Sequence, residues 1–126
     1  CGAQVVRALA AADTLAEDGI SAQVVNMPTI KPIDAKLLAA CAVETGAMVT
    51  AEDHNIHGGL GGAVAEALAQ TTPCPIEFVA VKDTFGASGE PEELAHHFGI
   101  SAPFIADAAR RVINRKRALG ATPGNK

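Results

Sequence analysis

The segment from Val49 to Glu66, VTAEDHNIHGGLGGAVAE, limits what this chain can fold into more than any other. An apolar run ends in an acidic, histidine-bearing turn. Four glycines follow (Gly58, Gly59, Gly61 and Gly62), then an alanine-rich stretch with helical spacing. That order describes a strand, a tight turn and a helix laid back against the strand. Glycines at such a helix start let backbone amides approach a strand, a partner or an anion where a Cβ would stand in the way. The segment carries no nucleophile and no phosphate-gripping Lys, so it reads as one part of a larger site.

The flanking sequence repeats the alternation. Val5, Leu9, Ala12 and Leu15 recur at helical spacing from Gln4 to Asp18, and Gly19 closes the pattern. Ser21–Met27 is short and β-branched and predicts a buried strand, stopped by Pro28 and Pro32. Asp34 is placed to cap a second helix that runs to Thr45 and ends at Gly46. Ala47–Glu52 predicts a second strand, residues 60–70 a third helix, and Ile76–Val81 a third strand. After the loop from Lys82 to Gly89 come a short helix opened by Pro91 and a longer one from about Ala102 to Arg117. Strands alternating with helices predict parallel βαβ units in a three-layer α/β/α sandwich. The first helix has no strand before it, so the order of elements suggests a strand cut away at residue 1. The expected division is an N-terminally incomplete domain over residues 1–118 and a flexible tail over 119–126.

Composition excludes several classes. At 126 residues the chain is at most one domain. Aromatics make up 3% of it, with no Trp or Tyr, which argues against a base-stacking surface. The net charge of −4 suggests neither nucleic acid nor an anionic membrane as partner. Four of the 10 basic residues lie before Asp107 and six from Arg110 onward, whereas all 14 acidic ones fall at or before Asp107. The basic end, ARRVINRKR, is read as cations complementing a helix macrodipole rather than as an RNA or membrane patch. Cys1, Cys41 and Cys74 form no CxxC pair and read as buried or incidental thiols, which suits a reducing cytoplasm. No apolar run approaches the ~20 residues of a membrane span.

Three constellations could carry chemistry. His54 and His57 with Glu52 and Asp53 have a spacing that could supply metal ligands, but a tight loop rarely aims both imidazoles at one ion. A polar loop at an interface or site edge is the preferred reading, with no metal ligand assigned. GGLGG could hold an anion at a helix N-terminus, though close packing of helix on strand explains the glycines better. His96 and His97 are adjacent and point about 100° apart on a helix, unsuited to joint chelation. Ser88, in DTFGASG, has no basic partner in sequence and is not taken as a nucleophile.

Three motifs in order, VVNMPTIKPID, VTAEDHNIHGGLGGAVAEALA and DTFGASGEPEELAHHFGI, closely resemble the C-terminal domain of transketolase, above all the short C-terminal subunit of split transketolases. The resemblance covers Gly2 to about Lys116. It implies a thiamine-diphosphate enzyme that moves a two-carbon ketol unit from a ketose phosphate to an aldose phosphate, with magnesium holding the diphosphate. It implies that cofactor and catalytic residues belong to two other domains, so that no catalytic, cofactor-binding or metal residue is assigned here. The expected partners are those thiamine-binding domains or an N-terminal transketolase subunit, in a cytoplasmic homo- or hetero-oligomer, with no nucleic acid or membrane. The resemblance also implies a five-stranded mixed sheet whose first two strands are missing here, leaving a central position empty. Glu52, Asp53, His54, His57, Gly58, Gly59, Gly61 and Gly62 are the interface or site-wall candidates. Deoxyxylulose-phosphate synthase and the 2-oxoacid dehydrogenase beta subunit have related domains, and a standalone interaction or anion-binding module is the alternative from another class.

Overall fold

A computed structural model describes residues 4–27, 33–55, 59–81, 91–97 and 99–120. Its elements are α1 (Gln4–Glu17), α2 (Ala35–Thr45), β1 (Met48–Asn55), α3 (Leu60–Ala69), β2 (Ile76–Val81), α4 (Pro91–His97) and α5 (Ala102–Gly120). Local chemistry fixes the ends of α2. The Asp34 carboxylate accepts from the Leu37 N–H at 3.0 Å. At the other end Gly46 turns left-handed at φ 72° and donates its N–H to the Ala42 carbonyl. A residue with a Cβ adopts that conformation only at a cost.

The two strands are parallel and in register, Met48 beside Ile76 and Thr50 beside Phe78. Side chains alternate between the faces, and the alternation sorts the core into two layers. Val49, Ala51 and Val79 join Ala11 and Leu15 of α1 and Ile105 and Ala108 of α5. Met48 and Ile76 join Leu38 and Ala42 of α2 and Leu60, Val64 and Leu68 of α3. Helices therefore cover both faces, and the three-layer α/β/α arrangement is as expected. Val64 and Leu68 are 2% and 1% exposed; truncating a buried leucine to alanine costs about 2–5 kcal/mol.

Three expectations need correction. Residues 21–27 form no strand; β1 and β2 are the whole sheet among the described residues. The reason lies beside them. A cleft of about 660 Å³ separates Val24, Val25 and Met27 from β1. Five consecutive β1-side residues, Ala47 to Ala51, line it, and among the described residues none of β2 does. It therefore runs along the free edge of β1, between the helical layers. A segment becomes a strand only by hydrogen-bonding along a neighbouring strand, and here the cleft stands between residues 21–27 and the free edge of β1.

The second correction concerns α1, whose buried positions are Gln4, Arg7, Ala11 and Leu15, while Leu9 stands 52% exposed. The buried face is set by polar anchoring as much as by apolar spacing. Gln4, 1% exposed, donates from Nε2 to the Ile100 carbonyl at 3.0 Å and accepts from Arg7. The third is that α5 continues through Gly120, past the expected helix end near Arg117. Residues 121–126 lie outside the described residues.

Candidate functional site

The C-terminal end of β1 and the start of α3 form the candidate site. Met48, Thr50 and Glu52 share one face of β1 by alternation, so polarity rises toward the strand's end. Thr50 is 5% and Glu52 1% exposed. Gly59 occupies the N-cap of α3 and offers no side chain to the orphan amides of the first turn. Glu52 does that work from the strand: its Oε2 accepts from the Gly61 N–H at 3.1 Å. A carboxylate at a helix N-terminus also meets the positive end of the dipole. Its Oε1 is buried and, among the described residues, has no hydrogen-bond partner.

Gly61 is required by space. A Cβ there would stand 2.6 Å from Phe78 Cδ1 and 3.2 Å from Thr50 Oγ1. The expected close approach of helix to strand is therefore found at Gly61. Gly62 has open space in the Cβ direction. Gly59 has an ordinary extended backbone, with φ −97°. Of the eight candidates, Glu52, Gly59, Gly61 and Gly62 are thus brought together. Asp53 and His54 lie on β1, but their side chains are outside the described residues, as are His57, Gly58 and the DTFGASG loop. Among the described residues no group of three or more His, Cys, Asp or Glu is placed to hold a metal ion.

The arrangement bears on anion binding. The Gly61 amide already faces a carboxylate, so an incoming phosphate would have to displace Glu52 and meet its negative charge. One local signal hints at Glu52's inward role, its period-2 relation to Met48 and Thr50. Phe78, 36% exposed beside Gly61, carries no local sequence signal of its place against α3.

The basic end of the chain is largely tied down within the fold. Arg110 bonds Asp18 at 2.7 Å and Asp107 at 2.9 Å, which raises the pKa of its guanidinium. Arg111 bonds Glu77 at 3.0 Å, and Arg115 bonds both Glu77 and the Ile76 carbonyl. Burial alone would push the Glu77 carboxyl up, but the bonds and charges of Arg111 and Arg115 outweigh it and hold it below its usual range. Lys116 Nζ donates to the Thr45 carbonyl at 2.6 Å. The cation thus complements the C-terminus of α2, a refinement of the expectation that it serves its own helix. Elsewhere, His96 Nδ1 lies 3.2 Å from Ser101 Oγ, with its ring tilted against Phe104. Cys41 and Cys74 are free, and burial raises the Cys74 thiol's pKa. Among the described residues no helix is long and apolar enough to cross a membrane.

The family profile "Transketolase, C-terminal domain" matches residues 1–105, and the chain belongs to that family. Among solved structures it is similar to a chain described as a split-gene transketolase in an inactive beta4 tetramer. The two share 44% identity and a TM-score of 0.88, over 92% of this chain and 38% of the other. It is 44% identical over 115 residues to the 6-deoxy-6-sulfo-D-fructose transketolase subunit SqwH of Clostridium sp. (strain MSTE9), covering 91% of this chain and 36% of the relative. It is also 38% identical to 1-deoxy-D-xylulose-5-phosphate synthase 1 of Geobacter sulfurreducens, over 93% of this chain and 19% of that one. The chain therefore spans well under half the length of each of these relatives.

Proposed function

We propose that this chain serves as the assembly domain of a thiamine-diphosphate-dependent transketolase acting on sugar phosphates in carbohydrate metabolism. The observation that carries the reading is the β1–α3 turn within a shown transketolase C-terminal domain. It lies at the end of a parallel strand where open α/β sheets place their ligand-facing loops. Yet what it offers there is an internal acidic cap and a close-packed glycine. That chemistry suits a wall or an interface. It does not suit a diphosphate, whose negative charge Glu52 would repel, so no step is assigned to thiamine diphosphate or magnesium in this chain. Both are held by the thiamine-binding domains, on separate subunits or elsewhere in the polypeptide, in a homo- or hetero-oligomer. The free thiols suit a reducing compartment such as the cytoplasm.

The cleft along β1 supports the same reading. Its shape, one strand edge between two helical layers, suits an extended apolar segment from the rest of the transketolase polypeptide, laid beside β1. Left open, such an edge favours aggregation. The test is titration calorimetry of the purified 126-residue chain with thiamine diphosphate and magnesium, beside a ketol-transfer assay. We expect no activity, and binding weaker than micromolar. Micromolar or tighter binding, or turnover by the chain alone, would overturn the proposal.

A further inference from the structure

Residues 21–27 have the composition of a buried strand and form none, while β1 keeps a free edge on the other side of the cleft. Both follow if the cleft is the place of one strand. Ala8, Ala11 and Ala12 of α1 line it from one helical layer, and Leu38, Cys41 and Val64 from the other. The edge of β1 closes its side. A lipid or other apolar molecule would fill that space and leave the edge N–H and C=O groups of β1 unmet. A strand meets them.

The helices fix the direction of such a strand. Arg115 of α5 reaches the Ile76 carbonyl at the start of β2, so α5 runs against the strands. α1 lies beside α5 in the same direction, with Gln4 at Ile100 and Asp18 at Arg110. The chain therefore enters α1 at the C-terminal end of the sheet, where Gln4 and Val5 line the cleft. A strand feeding α1 must then run parallel to β1. Crossover hand gives the same placement. β1, α3 and β2 form a parallel unit with its helix on the Met48 face, where α2 also lies. α1 lies on the opposite face. With one hand kept throughout, the unit through α1 steps the other way along the sheet, from the cleft outward to 21–27.

We propose that the stretch of polypeptide immediately ahead of α1 occupies the cleft as a strand parallel to β1, and that its arrival turns residues 21–27 into a further strand. This rests on the reading of the cleft as a strand site given above, and adds the segment, its direction and its effect on 21–27. The sheet then runs 21–27, incoming strand, β1, β2. Helices cover the incoming strand on both faces, so it has to be apolar on both, a near-continuous run of Val, Ile or Leu. Facing Ala47–Ala51 takes about five residues, or roughly 16 Å of extended chain.

The test compares the 126-residue chain with a longer form that carries the residues encoded immediately before Cys1, by amide hydrogen exchange. In the longer form the amides of 21–27, and those of β1 that face the cleft, should gain protection of roughly tenfold or more. Alkylation of Cys41, followed by peptide mapping, should slow as well. Proline variants separate a new strand from general stabilisation. Adjacent strand residues send their N–H groups to opposite edges, so one of Val24→Pro and Val25→Pro removes a bond to the incoming strand. That variant should lower the melting temperature of the longer form more than that of the 126-residue chain. A gene that encodes no apolar run before Cys1 would overturn the proposal. So would a longer form whose 21–27 amides exchange as fast as in the shorter one, or proline variants that destabilise both forms alike. Tight thiamine-diphosphate binding by the 126-residue chain would remove the assembly-domain reading and leave the exchange result standing, so the two failures can be told apart.

Discussion

Gly61 and Gly62 are neighbours in sequence and helix, yet the same substitution should move stability in opposite directions. A Cβ on Gly61 would lie 2.6 Å from Phe78 Cδ1 and 3.0 Å from Cε1, where ordinary contact begins at 3.4 Å, so the ring must retreat by 0.8 Å. Overpacking of this kind costs about 1–3 kcal/mol. Against it stands the gain of replacing glycine by alanine in a helix, at most about 1 kcal/mol. Because Phe78 is 36% exposed, its ring can swing partly into solvent, which keeps Gly61→Ala in the middle of that range and away from its upper end. The net expectation is a destabilisation of roughly 0.5–2 kcal/mol. Gly62 has nothing within 4 Å of its Cβ position, so Gly62→Ala keeps the propensity gain and should stabilise by about 0.5–1 kcal/mol. Urea unfolding followed by circular dichroism resolves a gap of this size. In a Phe78→Ala background the penalty at Gly61 should shrink or change sign, giving a coupling energy of about 1 kcal/mol or more. Gly61→Ala as stable as Gly62→Ala would refute the argument that close packing on Phe78 selects glycine there.

Two smaller effects follow from the ties around the helices. The Glu77 pKa is depressed, so its pairing with Arg111 and Arg115 should contribute fully above the unfolded carboxylate pKa near 4.3 and fade as pH falls through the lower folded value. Both arginines are more than half exposed, so the stability gap between wild type and Glu77→Gln should be no more than about 1 kcal/mol at pH 7, close toward zero in acid, and narrow with added salt. A gap that widens in acid would contradict the assignment. Asp34→Ala should cost about 1 kcal/mol by urea unfolding, and Asp34→Asn, which keeps an acceptor for the Leu37 N–H, much less.

What could be read from the sequence follows the range of the interaction that sets each feature. The ends of α2 were legible because Asp34 and Gly46 act on groups three or four residues away. The two strands and the layer order were legible because alternation in MVTAE and IEFVAV is itself the pattern that separates the two cores. The register of α1 was not. Its buried face turns on Gln4 meeting a carbonyl at Ile100, 96 residues on, and no local spacing carries that information. Residues 21–27 mislead for a related reason. Their composition favours a strand, but strand formation is a property of a pair, and the cleft separates them from β1.

The candidate site shows both ranges in one side chain. That Glu52 lies at a turn before glycines was plain from its neighbours, and alternation with Met48 and Thr50 was enough to point it inward. That its carboxylate would replace the missing side-chain cap at Gly59 required knowing how closely α3 returns to β1. That closeness depends in turn on the absence of a Cβ at Gly61 and on Phe78 from the neighbouring strand. The glycines and the glutamate are therefore a single device: removing the Cβ brings the amide to the strand, and the strand's carboxylate supplies what a glycine N-cap lacks. A phosphate-binding turn needs its amides free and its surroundings neutral or basic. In this turn the first amide the strand meets is already held by an acid, which ties α3 to β1 in place of an anion.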